Sequence, residues 1–400
     1  MKKTLFFLID GLADLPINGK TPLSEAKIDN MNFFAKNGRV GNLTILSKKE
    51  WENISRISNA SISHFANISL LGYDPKKFVE LKRGPLEAVG AGIEYREGEL
   101  AIRCNFASVD KKMNLIDRRA GRNSFGLDEI VEHANKKIKL KINFTFKRTF
   151  EHRAVLILHE KLSSKVTTND PFKIGEKVKE IKGLTALGKK SAKILQDFVN
   201  QFYKIANKCE ANKKRIKKGL LPANYLLLRE AGNKLLDLLP HFTEKWKIKA
   251  ICIAENGVVK ATCLLAGFDA LTIPEMNFKK TLNFVFSAIE NCLPFYDLIY
   301  VHLKEPDKYA HDGNFEGKIK AIEEIDKKFE KLKDYKGNLV ITCDHITSTL
   351  HKKHMPGKVP LLIFGKGKDK VKKFDEFSAK KGSLKNFTPK KLWKFIWSEK

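Results

Sequence analysis

The stretch Val340–His354, VITCDHITSTLHKKH, decides how the rest of the chain is read. An apolar run climbs to an Asp-His pair, Asp344 and His345, and His351 and His354 follow within ten residues. A short, unbroken apolar run bounded by polar residues is the pattern of a strand buried on both faces. In open α/β sheets, ligands gather beyond the carboxyl ends of such strands. The stretch therefore reads as a buried strand that delivers carboxylate and imidazole to a site.

Working outward, runs with the same strand character recur at Thr4–Ile9, Ala250–Ala254, Leu298–Leu303, Leu339–Cys343 and Pro360–Phe364. Helix-patterned segments lie between the later ones, at Phe278–Asn291 and Gly317–Lys333. The second places Ile319, Ile322, Ile325 and Phe329 on one stripe. Strands alternating with helices predict an α/β fold with a mostly parallel sheet flanked by helices. The middle of the chain differs. ELAIRCNFASVD, KIKLKINFTFKR and RAVLILHE, between about Gly98 and Val166, alternate as antiparallel strands do, and an amphipathic helix follows from about Thr185 to Cys209. The expected organisation is a core in two parts, 1–80 and 185–400, with a smaller α+β insertion domain at 81–184.

Composition bounds the class. At 400 residues with 42% hydrophobic content, the chain can bury a large core. Six scattered cysteines without a C-x-x-C pair argue against a zinc ribbon and a disulfide framework and for reduced, structural thiols. The N-terminal TLFFLI is too short for a signal core, and no stretch approaches the roughly 18 apolar residues of a membrane span. A cytoplasmic location without membrane contact is expected. The formal charge of +29 would draw anions, from nucleic acid to phosphorylated metabolites. No nucleic-acid motif accompanies it, so lysine on solvated faces explains it better and no nucleic-acid partner is expected.

Three strand ends carry the same chemistry. FFLIDG ends in Asp10; LIYVHLKEPDKYAHDG leads to Asp307 and, four residues on, His311; LVITCDH ends in Asp344 and His345, with His354 beyond. Carboxylates and imidazoles together suit Mn²⁺ or Zn²⁺, and the oxygens also suit Mg²⁺. Taken singly, such an Asp is as often a helix cap. Two metal ions at one site commonly serve phosphoryl transfer, which needs a nucleophile. SISHFANISLLGYDP offers Ser61, Ser63 and Ser69, and Ser63 stands before a segment able to start a helix, whose free N–H groups favour phosphate.

These residues resemble a known family, the archaeal-type, cofactor-independent (2,3-bisphosphoglycerate-independent) phosphoglycerate mutases of the alkaline phosphatase superfamily. The resemblance runs nearly the whole chain in order, through DGLADLP, GKTPLSEA, SLLGYDP, RGPLEAVGAGI, AIRCN, PAN, EPDKYAHDG and the Asp344-His345 pair. It implies an alkaline-phosphatase-like core and an isomerase of glycolysis and gluconeogenesis that interconverts 3-phosphoglycerate and 2-phosphoglycerate. It further implies two divalent ions (Mn, Mg or Zn) and a phosphoserine intermediate. By position, Asp10, Asp344, His345 and the nucleophile Ser63 match one ion's ligands, and Asp307, His311 and His354 the other's. His351 matches no role. Arg103, Arg122, Arg153 and Arg215 fall in family-like stretches suited to gripping carboxylate or phosphate. The insertion would close over the substrate to keep water out, and an oligomer is compatible with the pattern.

The chain departs from the family pattern at several positions: His64 after the serine, Pro171-Phe172-Lys173, Ala154 after Arg153, Lys304 before the Pro306-Asp307 pair, and IPEMN at 273–277. These changes fall on the substrate side and leave the metal and nucleophile positions intact. They keep open an alternative, a metal-dependent phosphatase or mutase of the same superfamily acting on another phosphorylated small molecule. An anion-binding protein without catalysis is a further class, and it would show no dependence on Ser63.

Overall fold

The computed structural model describes residues 2–57, 62–235 and 239–397, so Ser61 lies outside the described residues. The chain divides into two compact units: unit 1 is Met1–Val79, Asp237–Glu255 and Thr262–Lys400, and unit 2 is Glu80–Leu236 with Asn256–Ala261. In chain order the first strands are β1 (Thr4–Ile9), β2 (Gly38–Leu43), β3 (Glu99–Val109), β4 (Leu115–Asp117), β5 (Phe144–Phe150), β6 (Arg153–Lys161) and β7 (Tyr225–Gly232). There follow β8 (Ala250–Ala254), β9 (Asp269–Thr272), β10 (Leu298–Leu303), β11 (Asn338–Thr342), β12 (Ile346–Ser348), β13 (Lys353–Met355), β14 (Val359–Phe364) and β15 (Leu384–Phe387).

Unit 1 is built on an eight-stranded sheet ordered β15-β2-β14-β11-β1-β10-β8-β9. The pairs β1–β10, β1–β11, β10–β8, β8–β9 and β15–β2 are parallel; β11–β14 and β14–β2 are antiparallel. The mostly parallel sheet expected from the alternating pattern is thus present. The reason TLFFLI reads as a continuous apolar run lies in its central place. Successive side chains point to opposite faces, and both faces are covered. On one, Phe6 stacks on Tyr300 and on Trp393 of the helix Pro389–Trp397. On the other, Phe7 meets Phe286 of the helix Phe278–Cys292 and Phe329 of the helix Phe315–Phe329. Each such ring contributes roughly 1.5–3 kcal/mol by leaving water.

The helix Phe315–Phe329 also buries two charged residues on its core face, Lys318 and Asp326. Asp326 caps another helix from outside. Its carboxylate accepts from Asn30 N, Met31 N and Asn30 Nδ2 at 2.7–3.1 Å, at the start of the helix Asp29–Lys36, whose own N-cap Ile28 offers no side-chain bond.

Unit 2 holds an antiparallel sheet, β4-β3-β6-β5, with β7 also on β3. One face of β3 (Leu100, Ile102, Cys104, Phe106) enters a core with the helices Leu127–Lys137 and Ala186–Lys208. The other face carries Ala101 and Arg103 toward the helix Arg83–Gly90. Gly84 permits that approach, since a Cβ there would stand 2.0 Å from Ala101 O. The outer edge of β7 is closed by a side chain. Asn169 donates to Leu226 O at 2.9 Å and accepts from Leu228 N at 2.7 Å, as a neighbouring strand would.

The insertion expected to end at 184 runs on to Leu236. The long helix belongs to unit 2 because Phe198 and Phe202 pack against Phe146, and Phe202 also against Phe106, on that unit's sheet. An amphipathic stripe announces a buried face without saying which sheet covers it. All six cysteines are free, five of them buried.

Candidate active site

In unit 1 the adjacent parallel strands β11, β1 and β10 end on one side of the sheet, and each is followed by a candidate ligand. Asp10 follows β1 directly. Asp344 and His345 follow β11. Asp307 opens the helix Glu305–Asp312 after β10, with His311 one turn further on the same face. Gly11 lets the loops meet: its φ is +75°, and a Cβ would lie 2.4 Å from Asp307 N. The Asp307 amide instead donates to Asp10 O at 3.1 Å.

The opening stretch resolves into strand, ligand pair and hairpin. β12 and β13 pair antiparallel with Thr347 opposite His354, which folds His354 back over His345; the rings stack at 3.7 Å. His351 lies exposed in the connecting turn. Two groups result: Asp10, Asp344 and His345 form one, and Asp307, His311 and His354 the other, each with one ligand atom per residue within 4.8 Å of the others.

The electrostatics describe a site short of positive charge. Burial, reinforced by the charges of Asp10 and Asp307, holds the Asp344 carboxyl well above the usual range. Burial and the Asp307 charge also push Asp10 up, but His302, His345 and Lys304 outweigh them and leave it lowered. Asp307 is depressed well below its ordinary value, its burial overcome by His354, Lys304 and His311. Burial and the neighbouring His354 drive His345 down to about 3, so its ring is neutral.

Several buried atoms have no hydrogen-bond partner: Asp10 Oδ1, Asp344 Oδ1 and His345 Nε2. Such orphans are rare unless something else binds them. The imidazoles are set for coordination. His345 Nδ1 lies 3.2 Å from the Thr347 hydroxyl, which itself donates to Asp307 Oδ1 at 3.0 Å. The hydroxyl has one proton, so it accepts from His345 Nδ1–H and leaves Nε2 a lone pair. His311 Nδ1 likewise sits 3.0 Å from Lys352 O, which leaves the lone pair on its Nε2, facing His354 Nε2 at 3.0 Å. This carboxylate–imidazole set, with the second ring nitrogen of both histidines engaged, fits divalent cations.

Ser63 lies in the first turn of the helix Ile62–Leu70, its Oγ 3.3 Å from Asp344 Oδ2. One turn on, Asn67 Nδ2 donates both to Ser63 O at 2.9 Å and to Asp344 Oδ2 at 3.0 Å, tying the serine to the ligand group. Ser69 instead donates to Ile45 O. His64 is fully buried and lies against Phe65. Lys304 Nζ is 3.9 Å from Asp10 Oδ2. His302 Nε2, at 3.6 Å from the same oxygen, is too far for a formed hydrogen bond but close enough to favour the carboxylate. Its place inside the apolar run LIYVHL concealed it.

Unit 2 gathers a second charged group. Arg83, Arg103 and Arg153 converge on the buried Glu87 Oε1 at 3.6–3.7 Å, and Arg103 also faces Glu230 at 3.9 Å. Arg118 and Arg229 flank the buried Asp170, and both guanidiniums lie over the Phe172 ring at 5.1–5.3 Å. Five guanidiniums thus face three carboxylates. Burial, then the charge of Arg83, push Arg103 down to about 9. A guanidinium keeps its proton at neutral pH regardless, so these five guanidiniums outweigh the three carboxylates they face.

Of the four arginines proposed from sequence, Arg103 and Arg153 join this group. Arg122 sits half-buried on a loop where Ala120, Gly121 and Arg122 have φ of 47°, 71° and 53°. Arg215 does not join the group. It is fully buried and donates to Leu221 O, Asn123 O, Phe125 O and Ala120 O at 2.5–2.9 Å. Arg83, Glu87, Arg118 and Arg229 were not singled out from sequence; the i,i+4 spacing of Arg83 and Glu87 in RGPLEAVG was the available signal.

Residues 58–212 match the family model described as 2,3-bisphosphoglycerate-independent phosphoglycerate mutase. The enzyme called 2,3-bisphosphoglycerate-independent phosphoglycerate mutase 1 of Methanocaldococcus jannaschii is 36% identical over 398 residues, spanning 96% of this chain and 93% of that one. Among solved structures, a Pyrococcus horikoshii protein superposes with a TM-score of 0.73 at 28% identity, covering 100% of this chain and 98% of its own. The cofactor-independent phosphoglycerate mutase of Thermoplasma acidophilum gives 0.59 at 28% identity, covering 99% of each. With identity above one third sustained along almost its entire length, the chain belongs to the 2,3-bisphosphoglycerate-independent phosphoglycerate mutases.

Proposed function

We propose that this protein is an isomerase that interconverts 3-phosphoglycerate and 2-phosphoglycerate without 2,3-bisphosphoglycerate, through a phosphoserine formed on Ser63. Asp10, Asp344 and His345 would hold one divalent ion with Ser63, and Asp307, His311 and His354 a second. When bound, such ions favour the serine alkoxide and screen phosphate oxygens. The observation that carries this reading is the meeting of the Ser63 hydroxyl with Asp344 beside two carboxylate–imidazole groups, the first of which, Asp10, Asp344 and His345, holds buried atoms that lack partners.

The chain's own residues supply the rest. Asn67 fixes the serine by its carbonyl and aligns Asp344 beside it. The first turn of the serine helix presents backbone N–H groups that suit a phosphate. Arg103 and Arg153, with Arg83, provide the cationic grip for the carboxylate or phosphate of a phosphorylated acid.

The test follows both products. Metal-stripped protein is given 3-phosphoglycerate with Mn²⁺, Mg²⁺ or Zn²⁺ added back, and 2-phosphoglycerate and free phosphate are measured together. Metal-dependent 2-phosphoglycerate without phosphate release is expected, and Ser63→Ala should abolish both turnover and phosphoenzyme while keeping the circular dichroism of the parent. Phosphate release alone would make the enzyme a phosphatase, and full activity in Ser63→Ala would remove the nucleophile.

A further inference from the structure

Asp14, the second aspartate of DGLADLP, has no part in the reading above, yet it is buried and paired with the fully buried Lys318 at 2.8 Å. All three ammonium protons are used: Lys318 Nζ donates to Asp14 Oδ2, to Ala13 O at 3.2 Å and to Thr347 O at 2.9 Å. Asp14 in turn accepts from the Thr349 backbone N–H at 3.2 Å and its hydroxyl at 3.0 Å. One lysine thus joins the loop after β1 to the hairpin after β11. A further bond runs directly between them, from Thr347 N to Ala13 O at 3.1 Å.

The significance lies in what Thr347 touches. Its hydroxyl bonds Asp307 and receives His345, and its backbone stands opposite His354 in the hairpin. Ala13 lies three residues beyond Asp10. Fixing the Ala13 and Thr347 carbonyls against one ammonium therefore fixes candidate ligands from both groups. We propose that Lys318 and Asp14, acting through Thr347, are positioning residues that hold the two ligand-bearing loops in register and so set the affinity for divalent metal. The proposal rests on the two-metal reading. It adds a device placed outside the ligand set, on the core face of a helix that contributes no ligand.

The test measures Mn²⁺ binding by titration calorimetry on metal-stripped full-length protein, independently of turnover. The variant is Lys318→Met combined with Asp14→Asn, which removes both charges and leaves neither buried alone. Loss of partners behind a ligand typically weakens metal affinity 10–100-fold. A weakening of at least tenfold is expected here. The control is Leu384→Ala, a buried change on β15 at the far edge of the sheet, which should destabilise the metal-free protein but leave Mn²⁺ affinity within about twofold. That comparison separates positioning from general loss of stability. Should the double variant fail to reach the parent's circular dichroism, Lys318→Gln combined with Asp14→Asn takes its place, a pair that keeps amide donors and acceptors without charge, with at least a threefold weakening expected. Parent-like affinity in the folded variant overturns the positioning role while leaving the two-metal reading standing. Absence of stoichiometric Mn²⁺ binding by the parent overturns that reading and the positioning role with it.

Discussion

Replacing Arg215 by Met tests whether a buried arginine works as a fastener. The guanidinium makes four hydrogen bonds to main-chain carbonyls, three of them in the segment 120–125. At about 1–1.5 kcal/mol net for each bond, their loss amounts to about 4–6 kcal/mol. Part of this returns. Ala120 and Arg122 are held at φ of 47° and 53°, conformations costing roughly 1–2 kcal/mol for an L side chain, and a released loop can relax them. Methionine also replaces most of the apolar stem. The net expectation is a loss of about 1–3 kcal/mol in urea unfolding, with faster amide exchange concentrated at 119–126. Arg215→Lys, with three donors and no planar fork, should fall between. A loss below about 1 kcal/mol, or exchange unchanged in that loop, would refute the fastener. A rise in KM with parent-like stability would instead return Arg215 to the substrate.

Two further outcomes can be checked directly. Burial and two neighbouring carboxylates keep Asp344 protonated above the ordinary carboxyl range in the metal-free protein. Metal binding must expel that proton, so affinity should rise with pH until the raised value is passed and level off above it. Calorimetry in buffers of different ionisation enthalpy should show proton release, and no buffer dependence would count against the assignment. Asp326→Ala removes the external cap of the helix Asp29–Lys36 and should cost about 2 kcal/mol in urea unfolding; a loss under about 0.5 kcal/mol would show the cap to be dispensable.

What the sequence revealed follows a physical rule. Asp10, Asp307 and Asp344 were legible because each ends or follows an apolar run, and an Asp there contrasts with its surroundings. The parallel core was legible for the same reason, since strands covered on both faces read as unbroken apolar runs. The burial of Lys318, Asp326 and Arg215 was not. A pattern of apolar and polar positions assigns every Lys, Asp and Arg to solvent, and only the folded chain shows that backbone carbonyls and amides satisfy them. Arg83 and Glu87 stayed hidden inside a motif whose glycines and single proline dominate its reading. The extent of the insertion was missed because β7, the strand that closes the sheet of unit 2, is separated from β6 by the long helix.

The central place of β1 bears on how the protein is made. This strand precedes every other described strand in the chain, but its two neighbours are β10 and β11, beginning at Leu298 and Asn338. At about 5–20 residues per second, TLFFLI waits roughly 15–60 s before either edge can be paired. Through that interval it is an apolar, aromatic strand with two open edges, the kind that adds to other chains. Unit 2, drawn almost wholly from one stretch of sequence, has most of its partners to hand long before. A sheet whose central strand is made so long before its partners must therefore be shielded from its neighbours while it is being born.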